Sequence, residues 1–203
     1  NACMTDAFDH VGLMAPPISA VRRVVGLPLA RAIEVLASND KAPIEDMVKA
    51  YSVSWHKLRD SGDMHEPLYA GTEKLLEQLK VSEWTMGVAT GKSMRGLRQT
   101  LDHHNLGAYF STLQTADNAR GKPDPEMLHL AMAETGAEPS DTLMIGDTTY
   151  DVDMAVAAGV RAIGVNWGYH APADLTKAGA FHIAESVAGL MDFFKEMEGK
   201  PHE

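Results

Sequence analysis

Four side chains in this sequence stand where polar chemistry follows directly on an apolar run or a constrained turn. Asp147 comes straight after Leu143-Met144-Ile145-Gly146, and Asp151 lies about one helical turn further on. Two carboxylates facing one region make an oxygen-rich site of the kind that suits Mg2+, which keeps several waters and also touches phosphate oxygens. The plain alternative is N-capping by Asp147, with Asp151 favoured by the helix dipole. Thr90-Gly91 follows Val88-Ala89. A hydroxyl and bare backbone N–H groups at a strand-to-helix turn can hold a phosphate oxygen, or can simply make the turn. Lys122 stands in Gly121-Lys122-Pro123-Asp124-Pro125. Pro123 disfavours a helical conformation at Lys122, so its ammonium projects from an extended or turn segment, toward an anion or into solvent.

These residues need strands to end on, and the pattern from residue 71 onward supplies them. Helical periodicity covers 71–80, 94–104, 125–135, 152–158 and 187–197. Asp124 is placed to cap the third of these, with Pro125 at its first position. Short apolar runs at 84–89, 109–113, 142–145, 161–165 and 181–183 read as strands. The alternation predicts an α/β fold, a Rossmann-like three-layer core with a parallel sheet covered on both faces. Ligands of such sheets bind beyond the carboxyl ends of the strands, which is where Thr90, Asp147 and Asp151 fall.

The first third reads differently. Met4, Ala7, Phe8 and Val11 recur at helical spacing, and Pro16-Pro17 breaks the pattern. Val21, Val24 and Val25 predict a short helix ending at Gly26, and Pro28 opens another with Leu29, Ile33 and Leu36 on one face. Asn39-Asp40 and Pro43 break again. Ile44, Met47, Val48, Tyr51, Trp55 and Leu58 then form a long stripe that ends at Ser61-Gly62-Asp63. The expected organisation is a small helical domain over 1–66 and an α/β core over 67–203.

Bulk properties exclude several roles. With 45% hydrophobic and 23% charged residues, the chain has ordinary globular composition rather than that of a disordered one. A net charge of −10 disfavours nucleic acid and anionic membranes as partners, though not a small phosphate at a locally positive site. No apolar run has the ~18 residues of a membrane span, and no signal peptide is visible, so the expected location is the cytoplasm. The lone Cys3 has no activating neighbour and is expected to be inert packing, as are Met127, Met132, Met144 and Met154. His56, His65 and the pair His103-His104 are expected at surface or hinge positions. No G-x-G-x-x-G follows a strand, which disfavours a dinucleotide-dependent oxidoreductase.

Taken in order, "VATGKS", "GKPDPEMLHLAM" and "MIGDTTYDVDMAVAAGV" resemble motifs two, three and four of the haloacid dehalogenase superfamily. "RRVVGLPLARAI" is similar to the helical cap of its phosphoglycolate phosphatase-like branch. The resemblance covers nearly the whole chain. It implies a Mg2+-dependent phosphatase of small phosphorylated metabolites, working through an aspartyl-phosphate. Thr90 would then hydrogen-bond a phosphoryl oxygen, Gly91 would add a backbone donor, and Lys122 would balance the charge of phosphate and nucleophile. Asp147 would bind Mg2+, and Asp151 would support the metal shell or hold Lys122. In the cap, Arg22 and Arg23 are candidates for a substrate carboxylate, with a solvated helix face as the alternative.

The sequence departs from the family at motif one. No Asp-x-Asp-Gly-Thr is present, and Asp6 and Asp9 sit on an apparent helix without a strand ahead of them. The nucleophile and the first, central core strand are therefore expected to lie in a longer protein from which this sequence derives, and the 203 residues alone are expected to be inactive. Other outcomes within the family are a β-phosphoglucomutase-like or pyrophosphatase-like enzyme. A phosphonate hydrolase would need a Schiff-base lysine, and Lys41, Lys49 and Lys57 carry no motif for one. Outside catalysis, the alternative is a module that binds phosphate or a protein without turnover. Oligomeric state is left open.

Overall fold

The computed structural model describes residues 1–39, 41–61 and 66–198. The chain forms two compact units, Asn1–Pro67 and Leu68–Glu203. Asp40, Gly62, Asp63 and His65, named in the sequence reading as breaks or hinge, lie outside the described residues.

The first unit is helical, with α1 (Ala2–His10), α2 (Ile18–Arg23), α3 (Leu29–Ala37) and α4 (Ile44–Asp60). Its core is apolar: Met4, Ala7 and Phe8 from α1 meet Ile33 of α3 and Met47 of α4, with Val48 and Tyr51 packed around them. The i, i+3, i+4 spacing on α1 turns these side chains to one face. Asp6, exposed on α1, accepts a hydrogen bond from Ser54 of α4. Pro28 is not the first helical residue, as expected, but the N-cap before Leu29. Cys3 is buried.

The second unit alternates helices and strands: α5 (Thr72–Val81), β1 (Gly87–Thr90), α6 (Met94–His103), β2 (Thr112–Thr115), α7 (Glu126–Thr135), β3 (Leu143–Gly146), α8 (Thr149–Ala157), β4 (Arg161–Val165), α9 (Pro172–Ala178), β5 (His182–Ala184) and α10 (Val187–Glu198). Every ladder is parallel. β1 pairs with β2, Gly87 opposite Thr112 through Thr90 opposite Thr115. Separately, β3 pairs with β4 and β4 with β5. The strands therefore make two hydrogen-bonded sheets of two and three strands rather than one.

Helices cover these strands with apolar side chains, as parallel strands require. Met127, Leu128 and Met132 of α7 pack with Val152, Met154 and Ala155 of α8 and Leu175 of α9. Ala89 of β1 joins that cluster from the two-stranded sheet. Leu75 and Leu79 of α5 pack with Ile163, Val165, Leu190 and Phe194, and both Met86 and Leu143 lie against them. The α/β class is as expected, and the methionines named above are core residues.

Several boundaries differ. The first strand covers four residues instead of starting at Trp84, because Trp84 and Met86 pack in the core outside the ladder. Tyr109 lies in a short 3-10 turn, and the second strand begins at Thr112. α7 begins at Glu126 with Pro125 as N-cap. Asp124 thus lies one residue outside the cap position expected for it, although its Oδ1 accepts from Glu126 N–H at 3.1 Å. α9 was not anticipated. No helix among the described residues is long and apolar enough to cross a membrane.

Candidate active site

The carboxyl end of β3 brings together the groups that the sequence singled out. α8 starts at Thr149, three residues earlier than periodicity implied, because Thr148 caps it. Thr148 and Asp151 form a reciprocal capping box: Thr148 N–H donates to Asp151 Oδ2 at 3.0 Å and Asp151 N–H donates to Thr148 Oγ1 at 3.4 Å, while the Thr148 hydroxyl also donates to Oδ2 at 2.8 Å. Thr148, not Asp147, is therefore the helix cap, and Asp147 is left for other work.

The remaining oxygen of Asp151 meets Lys122. Nζ lies 2.5 Å from Oδ1, and both side chains are buried, with 8% and 5% of their surface exposed. Taking two charges out of water costs several kcal/mol per ion, so such a pair persists only with close geometry and further hydrogen bonds. Thr148 provides those bonds. The segment that carries Lys122 is braced from outside: Arg120 N–H donates to Glu126 Oε2 at 2.6 Å, and Arg120 Nη1 pairs with Asp124 at 3.0 Å.

Asp147 stands beside this pair and is only partly buried. Its Oδ2 accepts from Tyr169 N–H at 3.0 Å. Burial pushes its carboxyl above the usual carboxylate range, and the negative charge of Asp151 adds to the shift. The Tyr169 N–H and the Lys122 ammonium oppose it. A carboxylate made costly to ionise by its surroundings gains from a nearby dication. The donor set thus fits Mg2+ as far as one carboxylate goes, the usual protein share being one or two. Among the described residues, no group of three or more His, Cys, Asp or Glu side chains could hold a metal. Asp151 is engaged by Lys122 and Thr148, so of its two expected roles the geometry favours holding Lys122.

Thr90 ends β1, and its Oγ1 accepts from Lys92 N–H at 3.2 Å, leaving the hydroxyl proton to point elsewhere. Gly91 follows at the turn into α6. The loops after β1 and β2 are knitted by Met94 N–H donating to Asp117 Oδ2 at 2.7 Å. Arg22 and Arg23 lie in the last turn of α2, exposed, in the helical unit.

Sequence reasoning missed Thr148 and the loop after β4. The first was legible as Thr148-x-x-Asp151, a capping-box pattern. The second had a weaker signal, Gly168 following a strand by a few residues.

Residues 1–165 match the family model described as haloacid dehalogenase-like hydrolase. The probable phosphatase IndB of Dickeya dadantii is 35% identical over 90% of this chain and 77% of its own length. Phosphoglycolate phosphatase 1 of Pseudomonas aeruginosa is 33% identical over 76% of this chain and 59% of its own. The solved structure of a predicted phosphatase from Clostridium acetobutylicum superposes with a TM-score of 0.82 at 26% identity, covering 96% of this chain and 89% of that one.

Proposed function

Because the chain belongs to the haloacid dehalogenase-like hydrolases, we propose that it is the cap and most of the core of a Mg2+-dependent phosphatase acting on small phosphomonoesters, phosphoglycolate among them. The observation that carries this reading is the buried Lys122–Asp151 pair beside the carboxylate of Asp147. A buried ammonium held by a carboxylate is expensive to maintain, and a dianionic phosphoryl group gives it a purpose.

In this reading the ester's phosphoryl group sits beyond the carboxyl ends of β1 and β3. Thr90 donates its hydroxyl proton to one phosphoryl oxygen, and Gly91 N–H donates to another. Lys122 offsets negative charge that builds up between phosphate and nucleophile, as a compact point charge can. Asp151 fixes the direction of the ammonium. Asp147 holds Mg2+, which when bound neutralises charge on the transferring phosphoryl group.

Neither acid is the nucleophile. Asp151 is engaged by Lys122 and Thr148, and Asp147 is held by Tyr169. The 203 residues contain no Asp-x-Asp-Gly-Thr, so the aspartyl-phosphate step is assigned to an aspartate of the complete protein. That carboxylate attacks phosphorus, the P–O ester bond breaks, and the leaving oxygen takes a proton from a second acid. Water then hydrolyses the acyl phosphate. Arg22 and Arg23 are proposed to contact a substrate carboxylate.

The test is a panel of phosphoglycolate, β-glucose 1-phosphate and pyrophosphate, with Mg2+, on the complete protein and on these 203 residues. Phosphate release from phosphoglycolate by the complete protein alone is expected, with loss in Lys122→Ala. Preferred turnover of pyrophosphate or of the sugar phosphate reassigns the substrate. No turnover of any of the three by the complete protein would leave the binding module as the better reading.

A further inference from the structure

The connection after β4 closes on Asp147 through three consecutive residues. It starts where Asn166 N–H donates to Ala184 O at 3.1 Å, extending the pairing with β5, and where the Asn166 amide bonds Glu185. Trp167 then meets Tyr69 edge-on, with centroids 6.5 Å apart. The next three residues all engage Asp147 or its neighbour. A Cβ at Gly168 would overlap the Asp147 side chain, lying 2.6 Å from its Cγ. Tyr169 N–H donates to Asp147 Oδ2 at 3.0 Å. His170 N–H donates to the Asp147 carbonyl at 3.1 Å, and His170 Nδ1 accepts from Thr149 N–H at 3.1 Å. The His170 ring also packs edge-on against Tyr150, at 5.5 Å.

Gly168 is not needed for its backbone freedom, since its φ is not in the left-handed region. Space is what it supplies. Any larger residue there must displace either the loop or the carboxylate. His170 fixes the same aspartate from the other side, through its backbone and through the first turn of α8.

We propose that Gly168 and His170 are positioning residues that hold the Asp147 carboxylate in its cation-binding direction, so that the loop after β4 sets the affinity of the site for a hard divalent cation. This rests on the reading of Asp147 as the carboxylate that binds Mg2+. Side chains that orient a metal's ligand typically change affinity by about 10–100-fold when altered.

The probe is Mn2+, which shares the preference of Mg2+ for carboxylate oxygen and water and whose free-ion EPR signal reports binding without turnover. Asp147→Asn is expected to abolish binding. Gly168→Ala is expected to weaken it by about tenfold or more, His170→Phe by a similar factor, and His170→Asn, which keeps an acceptor near the Nδ1 position, by less than about twofold. Circular dichroism and the metal-free urea midpoint are recorded for each variant. Should Gly168→Ala fail to fold, the pair His170→Phe and His170→Asn decides alone. Wild-type Mn2+ affinity in His170→Phe, with binding lost in Asp147→Asn, overturns the proposal and leaves the function standing. Wild-type affinity in Asp147→Asn overturns both. An affinity lost equally in His170→Phe and His170→Asn, in step with a lowered urea midpoint, also overturns it, because general destabilisation then accounts for the loss.

Discussion

The two units bury different things. Among the described residues, every buried polar or charged side chain lies in the α/β unit: Thr112, Gln114, Thr115, Lys122, Thr148 and Asp151. The helical unit closes on Met4, Ala7, Phe8, Ile33 and Met47, and its ion pairs Arg31–Glu34 and Asp46–Lys49 lie at the surface. Three of the six buried polar residues form the Lys122–Asp151–Thr148 network, and the other three line β2. There, Gln114 donates to Thr112 at 2.8 Å and to Glu134 at 3.0 Å. Polar burial opposes stability unless each group is matched. Its confinement to one unit therefore marks where the fold spends stability on something other than folding, and the first network sits beside Asp147.

The sharpest way to break this comparison is Lys122→Met. Removing one partner of a buried pair leaves an uncompensated charge and typically costs about 3–5 kcal/mol. The double variant Lys122→Met/Asp151→Leu should recover part of that loss, since both charges go together. Urea unfolding of the α/β unit, read by hydrogen exchange in β3 and α8, measures each. A single-variant cost below about 1 kcal/mol would mean that the pair is not held out of water, and the contrast between the units would collapse.

Met47→Ala tests the apolar side of the comparison. Met47 is fully buried in the helical unit, and truncating it removes apolar contact and opens a cavity, for about 2–5 kcal/mol. Exchange protection should fall in α1 and α4, whose side chains line the cavity. Unchanged protection there would show that the helical core collapses onto the gap.

The same comparison explains what was legible in the sequence. Apolar spacing placed α1 and α4 well, because a core of Met, Phe and Ile at i, i+3, i+4 has no competing reading. It misplaced β1, because Trp84 is partly buried for packing against Phe194, with centroids 5.2 Å apart, and an apolar residue signals packing rather than strand pairing. β2 was shifted for the opposite reason. Gln114 and Thr115 read as loop, yet Asn118 and Glu134 satisfy them inside the unit, Asn118 Oδ1 accepting from Thr115 N–H at 2.7 Å. α9 carried its own signals, Pro172 in its first turn and Gly179 just past its end, which periodicity alone does not weigh. At the site, residue types and spacing were enough to select Thr90, Lys122, Asp147 and Asp151. The partnership of Lys122 with Asp151 was named only as one of two roles, because the contact spans 29 residues of chain and no local rule specifies it.

A smaller effect, of opposite sign, is expected at Asp147. Its folded-state pKa is raised by burial and by Asp151. Below the ordinary aspartate value of about 4, the group is protonated in folded and unfolded chains alike and contributes nothing. As pH rises from there through the raised folded value, the unfolded chain ionises more readily, so the group increasingly opposes folding. In metal-free buffer, Asp147→Asn should therefore raise the urea midpoint at neutral pH, and the gain should vanish toward pH 3.5. Urea titrations of both proteins from about pH 3 to 8 check this, and a gain independent of pH would rule out ionisation as its source.

The smallest effects belong to the exposed pairs of the helical unit, and their order is set by the helix dipole. Asp46–Lys49 places its acid in the first turn of α4 and its base after it, at 3.3 Å, the arrangement that the dipole favours. Arg31–Glu34, at 3.0 Å, reverses the order: the cation is near the start of α3 and the anion near its end. Both pairs are well exposed, so each contributes about 0–0.5 kcal/mol. Lys49→Ala should cost a few tenths of a kcal/mol at low salt and less at 1 M salt. Arg31→Ala should be neutral or slightly stabilising, because the contact it loses is offset by relief of an unfavourable charge at a helix start. Urea midpoints of the two variants at low and high salt settle the order. A larger loss for Arg31→Ala than for Lys49→Ala would mean that direct pairing outweighs the dipole even where water screens both charges.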